Sequence, residues 1–373
     1  MAPPFSLTRR TVFRAAAVAA GVAAVPTLLP AVPAKAARTV RVPGTRAKAV
    51  VGAAARAVEA DFPIQYVGVT WSGPQRGAGI RLLGQDGNRG AWTALRPTCV
   101  AGADADGPAS SGRVSVLVPA NGAAGYELRF PDGATDTRST AIDTVDGPAV
   151  ERAVTSTTGQ FLGIDYITRA GWGADESLRF KADGSENSPG TYYPAQTLTV
   201  HHTAGANGDS DPAATIRAYY HLHAIENDWG DIGYHFLIDE AGRVYEGRYS
   251  GTDGMPAHDA DGKMVTAFHA AGFNSGNLGI ALLGTFTDQS PTPETRKSLT
   301  RLLAALSEYH GFDPQAAVTF VNPVNGVTKD VQMISGHRDW LVTDCPGATL
   351  YDGLPALRAD VASARSENRA RKL

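Results

Sequence analysis

From about Ile164 to residue 360, strand-type runs alternate with capped helices, and that alternation sets the tightest limit on what the chain can fold into. Thr197–His202 reads as a buried strand ending in two histidines. Asp211-Pro212 supplies a cap and a first-turn proline for a helix reaching about Asn227, along which Ile216, Tyr219, Tyr220 and His223 share helical spacing. Gly233–Ile238 alternates as a strand, and Ala241-Gly242 turns it back into Val244-Tyr245-Glu246 as a hairpin. Leu278–Leu283 is a short apolar run suited to a central strand, and Thr292-Pro293 opens a second helix that Gly311 ends after His310. Val331–Ser335 is the last strand and delivers Gly336-His337. The expected fold class is α/β, a mixed central β-sheet with flanking helices.

The region before it has a different grain. Between Glu59 and Pro148, short β-type runs (Gln65–Trp71, Gly79–Leu83, Trp92–Leu95, Arg113–Val118, Gly125–Phe130) are separated by Gly, Asp, Asn and Pro. That spacing predicts a small all-β, sandwich-like domain over 59–148. Residues 37–58 and 149–163 read as linkers around it, and 361–373 as a C-terminal tail. With 43% hydrophobic residues and no long charge runs, each of the two units can bury a core. The β unit assembles no catalytic set, and its role is open. Trp71 and Trp92 would stack on sugar rings if exposed, although core packing is the commoner fate of a strand tryptophan.

Residues 1–36 read as an export signal: Arg9, Arg10 and Arg14 precede an apolar run from Ala15 to Val25, too short to span a bilayer, and Ala34-Lys35-Ala36 offers a small-x-small cleavage site. Thr8-Arg9-Arg10-Thr11-Val12-Phe13-Arg14 resembles a twin-arginine signal, with an ordinary secretory signal as the alternative. Either predicts a secreted protein, extracellular or associated with the cell wall, with no membrane insertion after signal removal. Cleavage would take away four positive charges and no acid, moving the formal charge from -3 to -7. That mildly acidic chain lacks the basic excess of a nucleic-acid binder, so no nucleic-acid partner is expected.

Only two cysteines are present, Cys99 and Cys345, and both are expected to be unpaired, because Cys345 sits at a ligand-like spacing from His337 while Cys99 lies in the other unit. Cys99 is then a small buried hydrophobe. Zinc hydrolases need three protein donors and one open position. His201 ends one strand, and His337 and Cys345 flank a loop after another, so these donors can converge only through the fold. Each piece alone is a weak signal.

Five separated segments, taken together, are specific. Ile167-Thr-Arg-Ala-Gly-Trp-Gly-Ala174, Val200-His-His-Thr203, Asp231-Ile-Gly-Tyr-His-Phe-Leu-Ile238, Gly242-Arg-Val-Tyr-Glu-Gly-Arg248, and Ser335-Gly-His-Arg-Asp-Trp340 through Thr343-Asp-Cys-Pro-Gly347 follow one another in the order seen in peptidoglycan recognition proteins and related phage-type amidases. Residues 164–360 thus resemble that family of zinc amidases, and the β unit lies outside the likeness. The resemblance implies one Zn2+ per chain held by His201, His337 and Cys345, with Cys345 as thiolate. It places Tyr234 at the family's catalytic tyrosine, orienting the attacking water or donating to the developing oxyanion, and Thr343 where its hydroxyl can donate to the same oxyanion. The implied reaction is hydrolysis of the amide between the lactyl group of N-acetylmuramic acid and L-alanine, with peptidoglycan, both glycan strand and stem peptide, as partner. Substrate contacts are expected from His202, His223, Arg248 and His269. His202, His235 and His269 are also candidate donors of the leaving-group proton, with a structural histidine as the plain alternative for each. Tyr249-Ser250 stands where relatives discriminate the third stem residue, and Gly254–Lys263 reads as an insertion, so peptide preference is open, as is the oligomeric state. Trp172 reads as a packing anchor, Glu246 as a hydrogen-bonding residue of the hairpin, and Asp165 and Asp175 as no carboxylate dyad. The rival functions are a peptidoglycan-binding module that does not cut and a carbohydrate adhesin with a vestigial amidase. Non-catalytic relatives typically lose the cysteine ligand, which this chain keeps.

Overall fold

The central sheet of the C-terminal half runs, edge to edge, Thr158–Phe161, Ile164–Ile167, Val244–Glu246, Phe236–Ile238, Asn277–Leu282, Thr197–His202, Ile334–Gly336. This computed structural model describes residues 38–52, 57–96, 99–101, 105–107 and 113–370. The export segment 1–36 lies outside them, as does the side chain of Cys99 and with it the expected state of the two cysteines. The last four strands of that order are parallel, while the hairpin and the Thr158–Phe161 edge are antiparallel, which makes the sheet mixed.

Local chemistry explains where the helices begin. Asp211 accepts from the Ala214 amide ahead of the helix Pro212–His221, and Thr292 accepts from the Thr295 amide ahead of Pro293–Tyr309. The first helix passes into one π-helical turn, Leu222–Glu226, short of the expected end at Asn227. The second ends at His310, with Gly311 in the left-handed region at φ 73°. A last helix, Leu354–Ala370, runs through the segment expected as a tail.

Two apolar layers sandwich the sheet. Leu198, Val200, Leu278, Ile280 and Ile334 pack under Pro293–Tyr309 and Leu354–Ala370. On the other face Leu237, Tyr245, Ala281 and Leu283 meet the helix Pro212–His221 together with Trp172. That second layer also takes in Tyr66, Leu117 and Ile142 from the N-terminal region, so the two regions share apolar packing.

The N-terminal region is β-rich, as expected. Its strands form an antiparallel sheet in the order Arg46–Val51, Thr135–Asp143, Val58–Ser72, Arg113–Arg129, Gly79–Leu83, Thr93–Ala94, with Cys99–Ala101 also paired to Arg113–Arg129. Trp71 is in its core, whereas Trp92 is half-exposed with the Arg81 and Arg129 guanidinium carbons 5.0 and 4.7 Å from its ring centroid. The segments expected as linkers carry strands instead: Arg38–Pro43 pairs with Ala149–Val154, Arg46–Val51 with Thr135–Asp143, and Thr158–Phe161 joins the central sheet. The first two pairings are long-range; the third is local, Thr158–Phe161 turning back on Ile164–Ile167 through Leu162-Gly163.

Ile280→Ala, on a buried strand with parallel neighbours on both sides, should lower unfolding stability by roughly 2–5 kcal/mol in urea titrations. Val321→Ala, at a position 45% exposed, should change it by less than about 0.5 kcal/mol. Equal effects would contradict this placement of the core.

Candidate metal centre

Pleating decides between the two adjacent histidines. Leu198 and Val200 face the layer under the two long helices, so Thr199 and His201 must face the other way and His202 must return to that layer. His202 duly accepts from the Phe286 amide through Nδ1 at 3.2 Å, and burial holds its pKa down to about 4. His201 instead enters a ring cluster, with centroids 4.6 Å from His337, 4.9 Å from His269 and 5.4 Å from Tyr234.

The loop after Ile334–Gly336 folds back so that Cys345 returns beside His337. Asp339 caps the turn by accepting from the Gly336 amide and from the Tyr351 hydroxyl, and Arg338 donates from its amide to the Cys345 carbonyl at 3.0 Å. Trp340 Nε1 donates to Thr199 Oγ1 and Ser335 Oγ at 2.8 and 2.9 Å, fastening the loop to the sheet face that carries His201. Thr343 Oγ1 accepts from the Cys345 amide at 3.2 Å.

One donor atom from each of His201, His337 and Cys345 lies within 4.8 Å of the other two, and all three residues are buried. Cys345 Sγ is 3.7 Å from His201 Nδ1. Two tetrahedral zinc bonds of the usual lengths would set nitrogen and sulfur about 3.6 Å apart. Neither ring nitrogen of His337 has a hydrogen-bond partner among the described residues, which is costly for buried polar atoms unless something else takes their lone pair. Burial first, and the neighbouring histidines second, hold the His337 pKa to about 3 and push His201 well below its ordinary value. Both rings are therefore neutral near pH 7, the protonation state a metal ligand needs. The His202 amide donates to Cys345 Sγ at 3.4 Å, which favours a thiolate. The donor set fits zinc.

Tyr234 stands against this cluster on an irregular segment before its strand. The Gly233 amide donates to His223 Nδ1 at 3.1 Å, and the Arg248 amide donates to the Tyr234 carbonyl at 2.8 Å, fixing the segment from both sides. His223 is buried between the Trp229 and Tyr234 rings at 4.8 and 5.6 Å, and burial takes its pKa to about 3. It therefore braces Tyr234 from within the fold. His235 uses both ring nitrogens, pairing Nε2 with the Val265 carbonyl and accepting from the Gly279 amide. Arg248 is buried, donating to Ser188 Oγ at 2.9 Å with its guanidinium 4.7 Å from the Phe268 ring, while its Nη1 has no hydrogen-bond partner among the described residues.

His269, expected at the substrate, backs a metal donor. Its Nδ1 is 3.0 Å from His201 Nε2 and its Nε2 is 2.8 Å from the Asn277 carbonyl oxygen. A β-carbon on Gly279 would come within 2.6 Å of the His269 ring, so the missing side chain makes room for it. A glycine within an apolar strand hinted at a close approach, but nothing in the sequence named the partner.

Other sequence-level readings concern packing. Trp172 is buried and donates to the Glu246 carbonyl at 2.7 Å, and the Glu246 side chain accepts from the Arg169 amide. Asp165 accepts from Gln160, whereas Asp175 caps a short turn and pairs with Arg152.

Comparison with known proteins sets this geometry in context. The family model described as N-acetylmuramoyl-L-alanine amidase matches residues 191–348. Peptidoglycan-recognition protein SC2 of Drosophila melanogaster is 30% identical over 194 residues, covering 51% of this chain and 85% of the relative. The human protein named N-acetylmuramoyl-L-alanine amidase is 31% identical over 163 residues, which are 43% of this chain and 23% of the human one. The solved structure of wild-type Drosophila PGRP-LB covers 51% of this chain and 91% of its own at 24% identity, with a TM-score of 0.37, too low to bear on the assignment. By sequence, the chain belongs to the family of peptidoglycan-recognition proteins and N-acetylmuramoyl-L-alanine amidases.

Proposed function

We propose that the chain is a zinc-dependent N-acetylmuramoyl-L-alanine amidase that is exported through its first 36 residues and cleaves the amide joining N-acetylmuramic acid to the L-alanine of the stem peptide in peptidoglycan. The observation that carries this reading is the convergence of His201, His337 and Cys345, with both His337 ring nitrogens unclaimed by hydrogen bonds among the described residues. A surface that only bound the polymer would have no use for three buried metal donors. No described helix is long and apolar enough to cross a membrane.

Zinc held by these residues would supply a Lewis acid that acidifies water and polarises a carbonyl. The protein's part is to hold and to orient. The His202 amide supports the Cys345 thiolate, and His269 fixes the His201 ring by occupying Nε2. Tyr234, its ring tilted against His201 with centroids 5.4 Å apart, is the phenol that would donate to the oxyanion that forms when the amide is attacked. Thr343 accepts the Cys345 amide at its oxygen, which leaves its proton to donate to the same oxyanion. His235 and His269 have both ring nitrogens engaged and are poorly placed to protonate the leaving amine.

Purified cell wall digested with the full chain should release stem peptides and leave glycan strands intact, and a chelator should stop the release. Binding without release would favour a recognition protein. Cys345→Ser should lower zinc content and activity together, and an active variant without metal would contradict the mechanism. Tyr234→Phe should keep its zinc yet turn over about 10²-fold more slowly or worse, the usual loss for an oxyanion donor. Unchanged turnover would remove Tyr234 from the chemistry.

A further inference from the structure

The N-terminal region touches the C-terminal half at several points, and one of them leads to the metal donors. The turn 105–107 places Asp106, 8% exposed, against the loop that follows His269. Asp106 Oδ1 accepts from the Asn274 and Ser275 amides at 3.0 and 3.1 Å, and Oδ2 accepts from the Ser275 hydroxyl at 2.6 Å. Asn322 Nδ2 adds a fourth donor at 2.6 Å. The Ala105 carbonyl takes the Asn274 side-chain amide and the Gly272 amide. Asn274, seated in this way, accepts through Oδ1 from the His269 and Ala270 amides, each at 2.8 Å. The next link is the 3.0 Å contact between His269 Nδ1 and His201 Nε2.

We infer that Asp106 is a positioning residue of the metal centre: through Asn274 and Ser275 it seats the loop that aims His269 at His201. A carboxylate suits this position because the Asn274 and Ser275 amides, the Ser275 hydroxyl and the Asn322 side-chain amide all donate to it and a carboxylate accepts at both oxygens. The direction of the relay is set by chemistry. The Asn277 carbonyl only accepts, so His269 Nε2 carries the proton, Nδ1 is left to accept, and His201 Nε2 must donate. His201 Nδ1 is then the lone pair that faces Cys345 Sγ. A loosened loop would let the His269 ring turn and free His201 to adopt the other tautomer, which hides that lone pair. Outer partners of ligating histidines commonly change metal affinity by about 10- to 100-fold.

The inference rests on the zinc reading above, and zinc affinity of the full chain, measured by competition with a chromogenic chelator, tests both. Asp106→Ala should weaken zinc binding by about tenfold or more. In its metal-free form the imidazole nitrogen signals of His201 and His269 should change from a single tautomer to a mixture. Tyr66→Phe is the control: it removes the 2.8 Å bond to Thr215 at another point of the same interface, remote from this chain of contacts, and should leave affinity within about twofold of native. If Asp106→Ala does not melt cooperatively, Asp106→Asn decides, because it keeps one oxygen for the two amides and Asn322 but turns a donor toward the Ser275 hydroxyl, and should fall between native and alanine. Native-like zinc affinity with unchanged tautomers in the folded Asp106 variant would overturn the role of Asp106 and leave the metal centre standing. A native chain that takes up no zinc would overturn both.

Discussion

The site depends on one strand register. Thr197–His202 runs parallel to Asn277–Leu282 with Thr199 opposite Gly279 and His201 opposite Ala281. Gly279 leaves the space on that face in which the His269 ring lies, directly behind His201. The same register puts Val200 opposite Gly336, so that the neighbouring strand releases His337 level with His201. Slipping either pairing by one residue would send His202 into the cluster and bury His201 in the apolar layer, since alternate residues point to opposite faces. The apolar side chains that fix the register, Leu198, Val200, Leu278, Ile280 and Ile334, are therefore what select the ligand from the His201-His202 pair.

A second constraint ties Tyr234 to the start of the domain. Arg169 is buried and donates to Asp231 Oδ1 at 2.9 Å, to the Gly247 carbonyl at 2.6 Å and to Glu176. Asp231 in turn accepts from the Ile232 and Tyr249 amides at 2.7 and 2.9 Å. Every oxygen of this buried carboxylate is used, the condition under which a buried ion pair is tolerable, and losing one partner of such a pair typically costs about 3–5 kcal/mol. The Ile167–Ala174 segment, Asp231-Ile-Gly-Tyr and Gly242–Arg248 are thus bound into one body by Arg169 and Trp172. That explains why these stretches, far apart in the chain, form a single readable signature. Glu246, pushed up from the usual carboxylate range by burial, serves this packing by accepting from the Arg169 amide.

Much of this was legible before any coordinates. The helices starting at Pro212 and Pro293 were announced by their caps, the hairpin by Ala241-Gly242, and the central strands by their apolar runs, because local chemistry fixes each of these. The strands at Arg38–Pro43, Ala149–Val154 and Thr158–Phe161 were not legible: they are short, partly polar and lack a clear period, and the first two pair with each other across more than a hundred residues. Val331–Ser335 reads as one strand yet divides at Met333, with Thr328–Gln332 pairing to Ala317–Val321 and Ile334–Gly336 entering the central sheet. Within the site, His201, His337 and Cys345 were found through their motifs. The work of His269 was not, since a histidine bonded to another histidine leaves no local mark.

The ring clustering has an energetic logic of its own. His201, His269 and His337 lie close together in a region from which water is excluded, and each is held well below its ordinary pKa by burial. Protonating any of them there would put a charge into a buried region among other histidines, so near neutral pH the cluster is kept as an array of neutral rings. His235 settles its lone pair on the Gly279 amide and its N–H on the Val265 carbonyl, while His269 donates to the Asn277 carbonyl and accepts from His201. His337 settles neither. A buried group left unsatisfied costs about 1–3 kcal/mol, and a fold that retains one does so where a ligand takes over the missing bond. With the unsatisfied ring of His337 set beside His201 Nδ1 and Cys345 Sγ, the proposed zinc would complete the packing of the domain as well as its chemistry.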